Sequence, residues 1–185
     1  MRSVIEAVGP CKLQFHNPEF KTLARSIVFQ QLSGKAASTI YGRFEAAAGE
    51  VTPERVLKLK PEKLRSFGLS KQKAEYVRDL ARLTKSGEID FAKLSSMSDE
   101  DVVKNLTQVK GVGVWTVHMF QIFALRRPDV LPTGDLGVRT AMKNVFELEA
   151  LPKPDEMIRL AEPWRPHASV ASWYLWRSLD GPAEL

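Results

Sequence analysis

The chain reads as all-α, and three observations lead there. Helix-start signals recur along its length, each followed by apolar residues at i, i+3 and i+4, whereas period-two alternation hardly appears. Residues 114–125, VWTVHMFQIFAL, are apolar on almost every side, as expected of a central helix buried on all faces. No Pro/Gly/Ser-rich stretch is long enough to separate independent domains, and no fixed-period repeat is present. With 185 residues, 44% of them hydrophobic and 26% charged, the chain suits one domain over 1–185, or two small helical lobes sharing an interface.

Taken in order, Asn17–Pro18 supplies an N-cap and a proline at the first helical position, with Phe20, Leu23, Ala24 and Ile27 on one face. Ala36, Ala37, Ile40, Tyr41 and Phe44 carry the next helix to Gly49, a C-terminal stop. Thr52–Pro53 and Lys60–Pro61 open two short helices. Gly68-Leu69-Ser70 leads into a longer one with Ala74, Val77 and Ala81, ending near Gly87. Ser98 followed by Asp99, Glu100 and Asp101 places a cap and three acids at a helix N-terminus, with Val102, Val103, Leu106 and Val109 as its apolar stripe. Arg127-Pro128-Asp129 ends the central helix. A helix then starts close to Asp135 and carries Leu136, Val138, Ala141, Met142 and Val145. After Pro152 and Pro154 come a short helix over 155–162 and a last one over 169–179.

The segment 106–117, LTQVKGVGVWTV, is the most informative. Gly111 and Gly113 flank Val112 between two apolar-periodic stretches, which gives helix, tight hairpin, helix. The second helix starts with unpaired N–H groups and a positive dipole end, a place for a phosphate. Alone, Gly-x-Gly is a weak signal; with Lys110 before it, Trp115–Thr116 after it and Asp135 some twenty residues on, it becomes specific. A looser echo, LRSFGLSKQKA at 64–74, reads as an ordinary helix-turn-helix ahead of a second phosphate contact.

Charge agrees with a polyanionic partner. The net charge is +5, and residues 55–85 hold ten Lys or Arg against Glu62, Glu75 and Asp79, whereas 86–101 run acidic. The single cysteine, Cys11, excludes an internal disulfide and a cysteine-ligated zinc or iron–sulfur centre. His16, His118 and His167 form no metal-ligand or triad spacing, and HExxH and P-loop patterns are absent, so no metal is expected. No signal peptide or run of about 18 apolar residues appears. The expectation is an intracellular protein with no membrane partner, in the cytoplasm or nucleoid of a bacterium or archaeon, or in a eukaryotic nucleus.

Three blocks carry a family resemblance that extends over about 18–180: FQQLSGKAASTIYGRF at 29–44, the hairpin and central helix running into LPTGDLGVR at 131–139, and PWRPHASVASWYLWR at 163–177. The chain resembles the helix-hairpin-helix (HhH-GPD) DNA glycosylases, most of all the 3-methyladenine DNA glycosylase II branch. That resemblance implies two helical lobes with a DNA-binding cleft between them. The larger bacterial members carry an N-terminal β domain, and this chain is expected to be the compact form without one.

It further implies that Asp135 is the catalytic carboxylate, stabilising the oxocarbenium-like sugar of a flipped nucleotide and directing water to it. By itself an Asp before a helix is commonly only an N-cap. Strand-cutting relatives place a nucleophilic lysine where this chain has Trp115, so the resemblance implies a monofunctional enzyme. Lys110, Gly111, Val112, Gly113, Trp115 and Thr116 would grip DNA, with Ser33 and Lys35 as further contacts. Gln31, or next Leu32, would plug the gap left by the flipped nucleotide. The alternative for Leu32 is closure of a helix against the core.

Trp176, Trp115 and Met119 would form the base pocket, Met119 standing where relatives carry Tyr. An electron-rich aromatic pocket holds cationic alkylated purines, which are already good leaving groups. Trp164, Trp173 and Tyr174 read as core, and His167 and Ala168 stand where relatives often carry an aromatic and an arginine.

The expected activity is hydrolysis of the N-glycosidic bond of 3-methyladenine or 7-methylguanine in double-stranded DNA, by a monomer. No cofactor is expected beyond a monovalent cation that the resemblance allows at the hairpin. Two alternatives stand: a glycosylase for another damaged or mismatched base, and a non-catalytic helix-hairpin-helix module. Asp135 inside LPTGDLGVR argues against the second, since backbone binding has no use for an acid beside phosphates.

Overall fold

The computed structural model describes residues 1–180, which contain eleven α-helices, two single turns of 3-10 helix and no β-strand. The helices are α1 (Arg2–Val8), α2 (Phe20–Phe29), α3 (Gly34–Ala48), α4 (Pro53–Lys58), α5 (Pro61–Ser66), α6 (Lys71–Lys85), α7 (Asp99–Leu106), α8 (Val114–Phe123), α9 (Leu136–Val145), α10 (Pro154–Ala161) and α11 (Ala168–Arg177). The chain divides into two compact units. One runs from His16 to Phe120; the other joins Met1–Phe15 to the segment from Gln121 onward, so the boundary falls inside α8.

In the His16–Phe120 unit the cap expected at Ser98 is present, and the helix starts read at Thr52 and Ser70 are capped in the same way. Thr52 accepts the Arg55 N–H, Ser70 that of Lys73, and Ser98 that of Asp101, each satisfying one orphan donor of a helix first turn. Leu23, Ile27, Phe44, Leu64, Leu80 and Leu106 are fully buried and form the apolar interior. Truncating Phe44 there costs about 3–5 kcal/mol in lost transfer energy and cavity.

The other unit has its own core of Leu131, Val138, Ala141, Met142, Met157, Ala161, Ala168 and Leu175. Trp164 stacks on Phe146, and Tyr174 is buried with its hydroxyl donating to Gly9 O, so both belong to the packing.

Two expectations need correction, and one helix, α1, has no counterpart in the sequence reading. Glu19, not Asn17, is the N-cap of α2, and the Asn17 carbonyl accepts from the Thr22 hydroxyl instead. Helix α1 carries no buried residue and no side-chain cap, so neither periodicity nor capping announces it. Helix α8 is not buried on all faces, because Val114 and Trp115 in its first turn are exposed and burial begins at Thr116. Among the described residues no helix is long and apolar enough to cross a membrane.

Candidate active site and nucleic-acid interface

Asp135 is the N-cap of α9, the common role for an Asp before a helix, and it also bonds a residue outside that helix. Its Oδ1 accepts the Val138 N–H at 2.8 Å and the indole N–H of Trp176 at 2.8 Å. The turn Pro132–Asp135, closed by the Asp135 N–H on Pro132 O, presents the carboxylate at the helix start. The residue is only 8% exposed, so two donors on one oxygen hold a nearly buried carboxylate in one rotamer. Gly137, in the first turn of α9, leaves room for this arrangement. A Cβ there would lie 3.0 Å from Trp176 Cδ1 and 3.1 Å from Asp135 Oδ1.

Trp176 therefore touches the acid, a contact that spacing in sequence does not reveal. The Phe123 ring stacks against it, centroids 5.8 Å apart, so one indole face is already covered. Nearby, Ala168 is fully buried in the core of its unit and its N–H donates to Asp129 Oδ1. An arginine side chain at that position would have to enter the core. Arg165 supplies a cation in the same turn and pairs with Asp129 Oδ2 at 2.9 Å.

The hairpin lies in the other unit, between α7 and α8. Gly111 has φ 77°, and a Cβ there would fall 2.1 Å from the Tyr76 ring, so glycine is required for both conformation and space. Gly113 meets neither demand, having nothing within 4 Å of a built Cβ. Lys110 is exposed, and its backbone N–H donates to Asp79 Oδ2 at 3.0 Å. Val112 is buried and anchors the hairpin tip. Thr116 is buried too, its hydroxyl accepting from Gln30 Nε2, so only its backbone remains for a phosphate.

Carbonyls are the oxygens a monovalent cation would find at this hairpin. Those of Leu106, Val109 and Gly111 each already accept one N–H, which leaves a second lone pair on each. Among the described residues no group of three or more His, Cys, Asp or Glu is placed to hold a metal ion.

The turn after α2 follows a different logic. Gln31 is a non-glycine residue in the left-handed region, φ 55°, and Leu32 is 39% exposed, so Leu32 does not close a helix against the core. Ser33 is the N-cap of α3 by position but makes no side-chain cap bond, and Lys35 is exposed.

Gln31, Trp115 and Met119 line one cavity of about 500 Å³, together with Phe29, Gln30 and Arg25. Arg25 was not among the residues expected at the site. Its guanidinium lies 3.9 Å from the centroid of the Phe29 ring. Its spacing from the QQLS turn is the only signal that marks it, and a helix-face arginine is normally solvated.

The basic stretch is partly structural. Arg55 donates to Ala48 O, Arg78 to the carbonyls of Leu57 and Leu59, and Lys73 to those of Val28 and Gln30, so three of the ten cations satisfy carbonyls at the C-terminal ends of helices. Arg82 pairs with Asp79 and Glu88. Lys58, Lys60, Lys71 and Lys85 are exposed. The 64–74 echo is a helix-turn-helix between α5 and α6, with Gly68 at φ 107°.

Comparison with known proteins agrees with this geometry. Residues 24–166 match the family described as HhH-GPD superfamily base excision DNA repair protein. YfjP of Bacillus subtilis is 36% identical over 169 residues, 87% of this chain, and the match spans 59% of YfjP's own length. The structure of Schizosaccharomyces pombe 3-methyladenine DNA glycosylase, Mag1, in complex with abasic DNA superposes with a TM-score of 0.83 at 32% identity, covering 97% of this chain and 90% of that one. A DNA-3-methyladenine glycosidase from Bacillus halodurans superposes with a TM-score of 0.86 at 38% identity, covering 96% and 82%. A family match over more than half the chain, an acid held at a helix start and a glycine-tipped hairpin converge on one assignment: this chain belongs to the HhH-GPD superfamily of base excision DNA repair proteins.

Proposed function

We propose that the protein is a monofunctional DNA glycosylase that hydrolyses the N-glycosidic bond of alkylated purines in duplex DNA, acting as a monomer inside the cell. The observation that supports it most is the Asp135 carboxylate, fixed by Val138 N–H and Trp176 Nε1 at the start of α9. Relatives named 3-methyladenine glycosylases share the fold over nearly the whole chain, and one of them was solved with abasic DNA, the product such a reaction leaves.

In this reading the base departs with the electron pair of its glycosidic bond. Positive charge grows on the sugar as it leaves, and Asp135, preorganised at no reorganisation cost, stabilises that charge. Water then adds to C1′, its oxygen directed by the carboxylate, and its surplus proton passes by way of Asp135 to solvent, leaving a neutral abasic site. No cofactor takes part; a monovalent cation on the hairpin carbonyls would serve to shape the backbone that grips phosphate. The hairpin supplies that grip through the backbone around Lys110, Gly111, Val112 and Gly113, and Ser33 and Lys35 add contacts beside the turn. Gln31 and Leu32 plug the stack, and Trp115 and Met119 wall the base pocket. The cavity's volume lies in the range typical of small-molecule pockets.

A second reading has a specific observation behind it. Arg25 places a guanidinium in the wall of the same cavity, which disfavours a cationic base and favours a neutral one with a carbonyl oxygen, such as hypoxanthine.

The test is incubation with a panel of duplexes, each bearing one lesion, followed by alkali to reveal abasic sites. Release of 7-methylguanine or 3-methyladenine with strand breaks only after alkali is the expected outcome. Failure to release any alkylated purine overturns the reading. Capture of a covalent enzyme–DNA adduct by borohydride overturns the monofunctional part, since Trp115 has no amine to form an imine.

A further inference from the structure

We infer that Gln30 is a positioning residue, a strut that sets the gap-filling turn at a fixed distance from the DNA-gripping hairpin, with Lys73 locking the turn from behind. The inference rests on reading the 30–32 turn as the element that plugs the stack.

Helix α2 ends at Phe29 and α3 begins at Gly34, so the chain must change direction within four residues. It does so with Gln31 at φ 55°, a conformation that costs a non-glycine residue roughly 1 kcal/mol and persists only where the surroundings impose it. Two groups impose it here. The Lys73 ammonium donates to Val28 O at 2.8 Å and to Gln30 O, taking up carbonyls that the end of α2 leaves without helical partners. The Gln30 amide points the other way, its Nε2 donating to Gly111 O at 2.9 Å and to Thr116 Oγ1 at 3.3 Å. Those acceptors are the left-handed glycine of the hairpin and the first turn of α8.

The hairpin is seated on the helix that carries Lys73. Tyr76 fills the space beside Gly111, and Asp79 Oδ2 accepts the Lys110 N–H. Positions 73, 76 and 79 of α6 thus hold the turn and the hairpin together, and Gln30 closes the ring between them. Burial pushes the Lys73 ammonium below its ordinary range, in keeping with its partly buried place against these carbonyls. Separating a base pair and filling the gap require the plug to be held at a set distance from the backbone grip. Gln30 belongs to the turn and its amide bonds Gly111 O and Thr116 Oγ1, so it connects the turn directly to the hairpin.

Gln30→Met keeps the length of the side chain and removes both donated bonds. Binding of undamaged duplex should stay within about twofold, because phosphate contacts are untouched. Single-turnover excision of 7-methylguanine from a fully paired duplex should fall about tenfold, the size expected for two hydrogen bonds of ordinary net strength. Excision from a duplex in which the lesion faces an abasic site, where no pair has to be broken, should fall clearly less, and because any effect of Gln30 on the cavity wall is common to both substrates, the ratio of the two losses reads the strut alone. Lys73→Met should show the same split, and Lys73→Arg should restore much of the paired-duplex rate.

Equal losses on the two substrates, or no loss on either, would overturn the strut. Should Gln30→Met lose its thermal transition, Thr116→Val, which removes only the longer bond, is scored by the same ratio and decides the matter alone. The combined Gln31→Ala and Leu32→Ala variant separates this inference from the reading beneath it. If that variant excises from paired duplex at the wild-type rate, the plug is misassigned and the strut falls with it. If it is slow while Gln30→Met is not, the plug stands and the strut fails.

Discussion

Trp176 Nε1 and Val138 N–H converge on one oxygen of Asp135, each at 2.8 Å, and Gly137 gives the indole the clearance to do so. The relation makes Trp176 a neighbour of the acid as well as an aromatic surface. Asp135→Asn keeps shape and removes charge. It should bind lesion duplex as wild type does while losing base release by roughly a thousandfold or more, a size typical when a developing charge loses its preorganised partner. Single-turnover release together with a binding titration checks it, and near wild-type release by the variant would remove Asp135 from the mechanism.

Trp176→Phe preserves the stack on Phe123 and loses only the N–H. Excision of cationic and neutral bases should fall alike, by about tenfold, since the defect lies in the orientation of Asp135. A loss confined to cationic bases would return Trp176 to the stacking role that the family resemblance implies.

Gly137→Ala should separate stability from activity. Alanine is favoured over glycine inside a helix by up to about 1 kcal/mol, so the melting temperature should hold or rise. The new Cβ would stand 3.0 Å from the indole, so excision should drop. A fall in both quantities together would mean that the crowding unfolds α9 instead of shifting Trp176.

The two hairpin glycines should behave oppositely. Gly111→Ala forces a Cβ into the Tyr76 ring at positive φ and should cost about 1–3 kcal/mol of stability, read as a lower melting temperature. Gly113→Ala should leave melting unchanged and weaken lesion and plain duplex equally, because the grip is on backbone. An effect of Gly113→Ala on lesion DNA alone would show that the hairpin reads the base.

Arg25→Gln tests the pocket charge. Removing the guanidinium should raise excision of 7-methylguanine relative to hypoxanthine, by about two- to threefold because the exposed side chain is well screened. An unchanged ratio would place Arg25 outside the reach of the bound base.

His118 on α8 is half-buried, and burial pushes it below its ordinary value of 6.5 against the opposing pull of Asp99. The unfolded chain then binds a proton more readily than the folded one, so the stabilising contribution is whole above 6.5 and fades as pH falls through it. Melting temperature should drop between about pH 7.5 and pH 5.5, and His118→Phe should flatten that slope. A wild-type slope retained in the variant would assign it to other groups.

The helical class, the helix starts at Thr52, Ser70 and Ser98, and the glycine-tipped hairpin were all legible in the chain, because each rests on near neighbours. Asp135 stood out only through the motif around it, since an Asp before a helix looks the same whether it caps or reacts. Where a residue's role depends on a partner far along the chain, spacing was silent. The Trp176–Asp135 bond joins residues 41 apart, and Gln30 reaches Gly111 across 81. Three cations that read as part of a nucleic-acid footprint proved to bind helix-end carbonyls. Composition counts charge, but only packing determines whether a guanidinium or ammonium meets water, a phosphate or a buried carbonyl, since orphaned backbone oxygens inside a fold must find a donor and the nearest long basic side chain provides it.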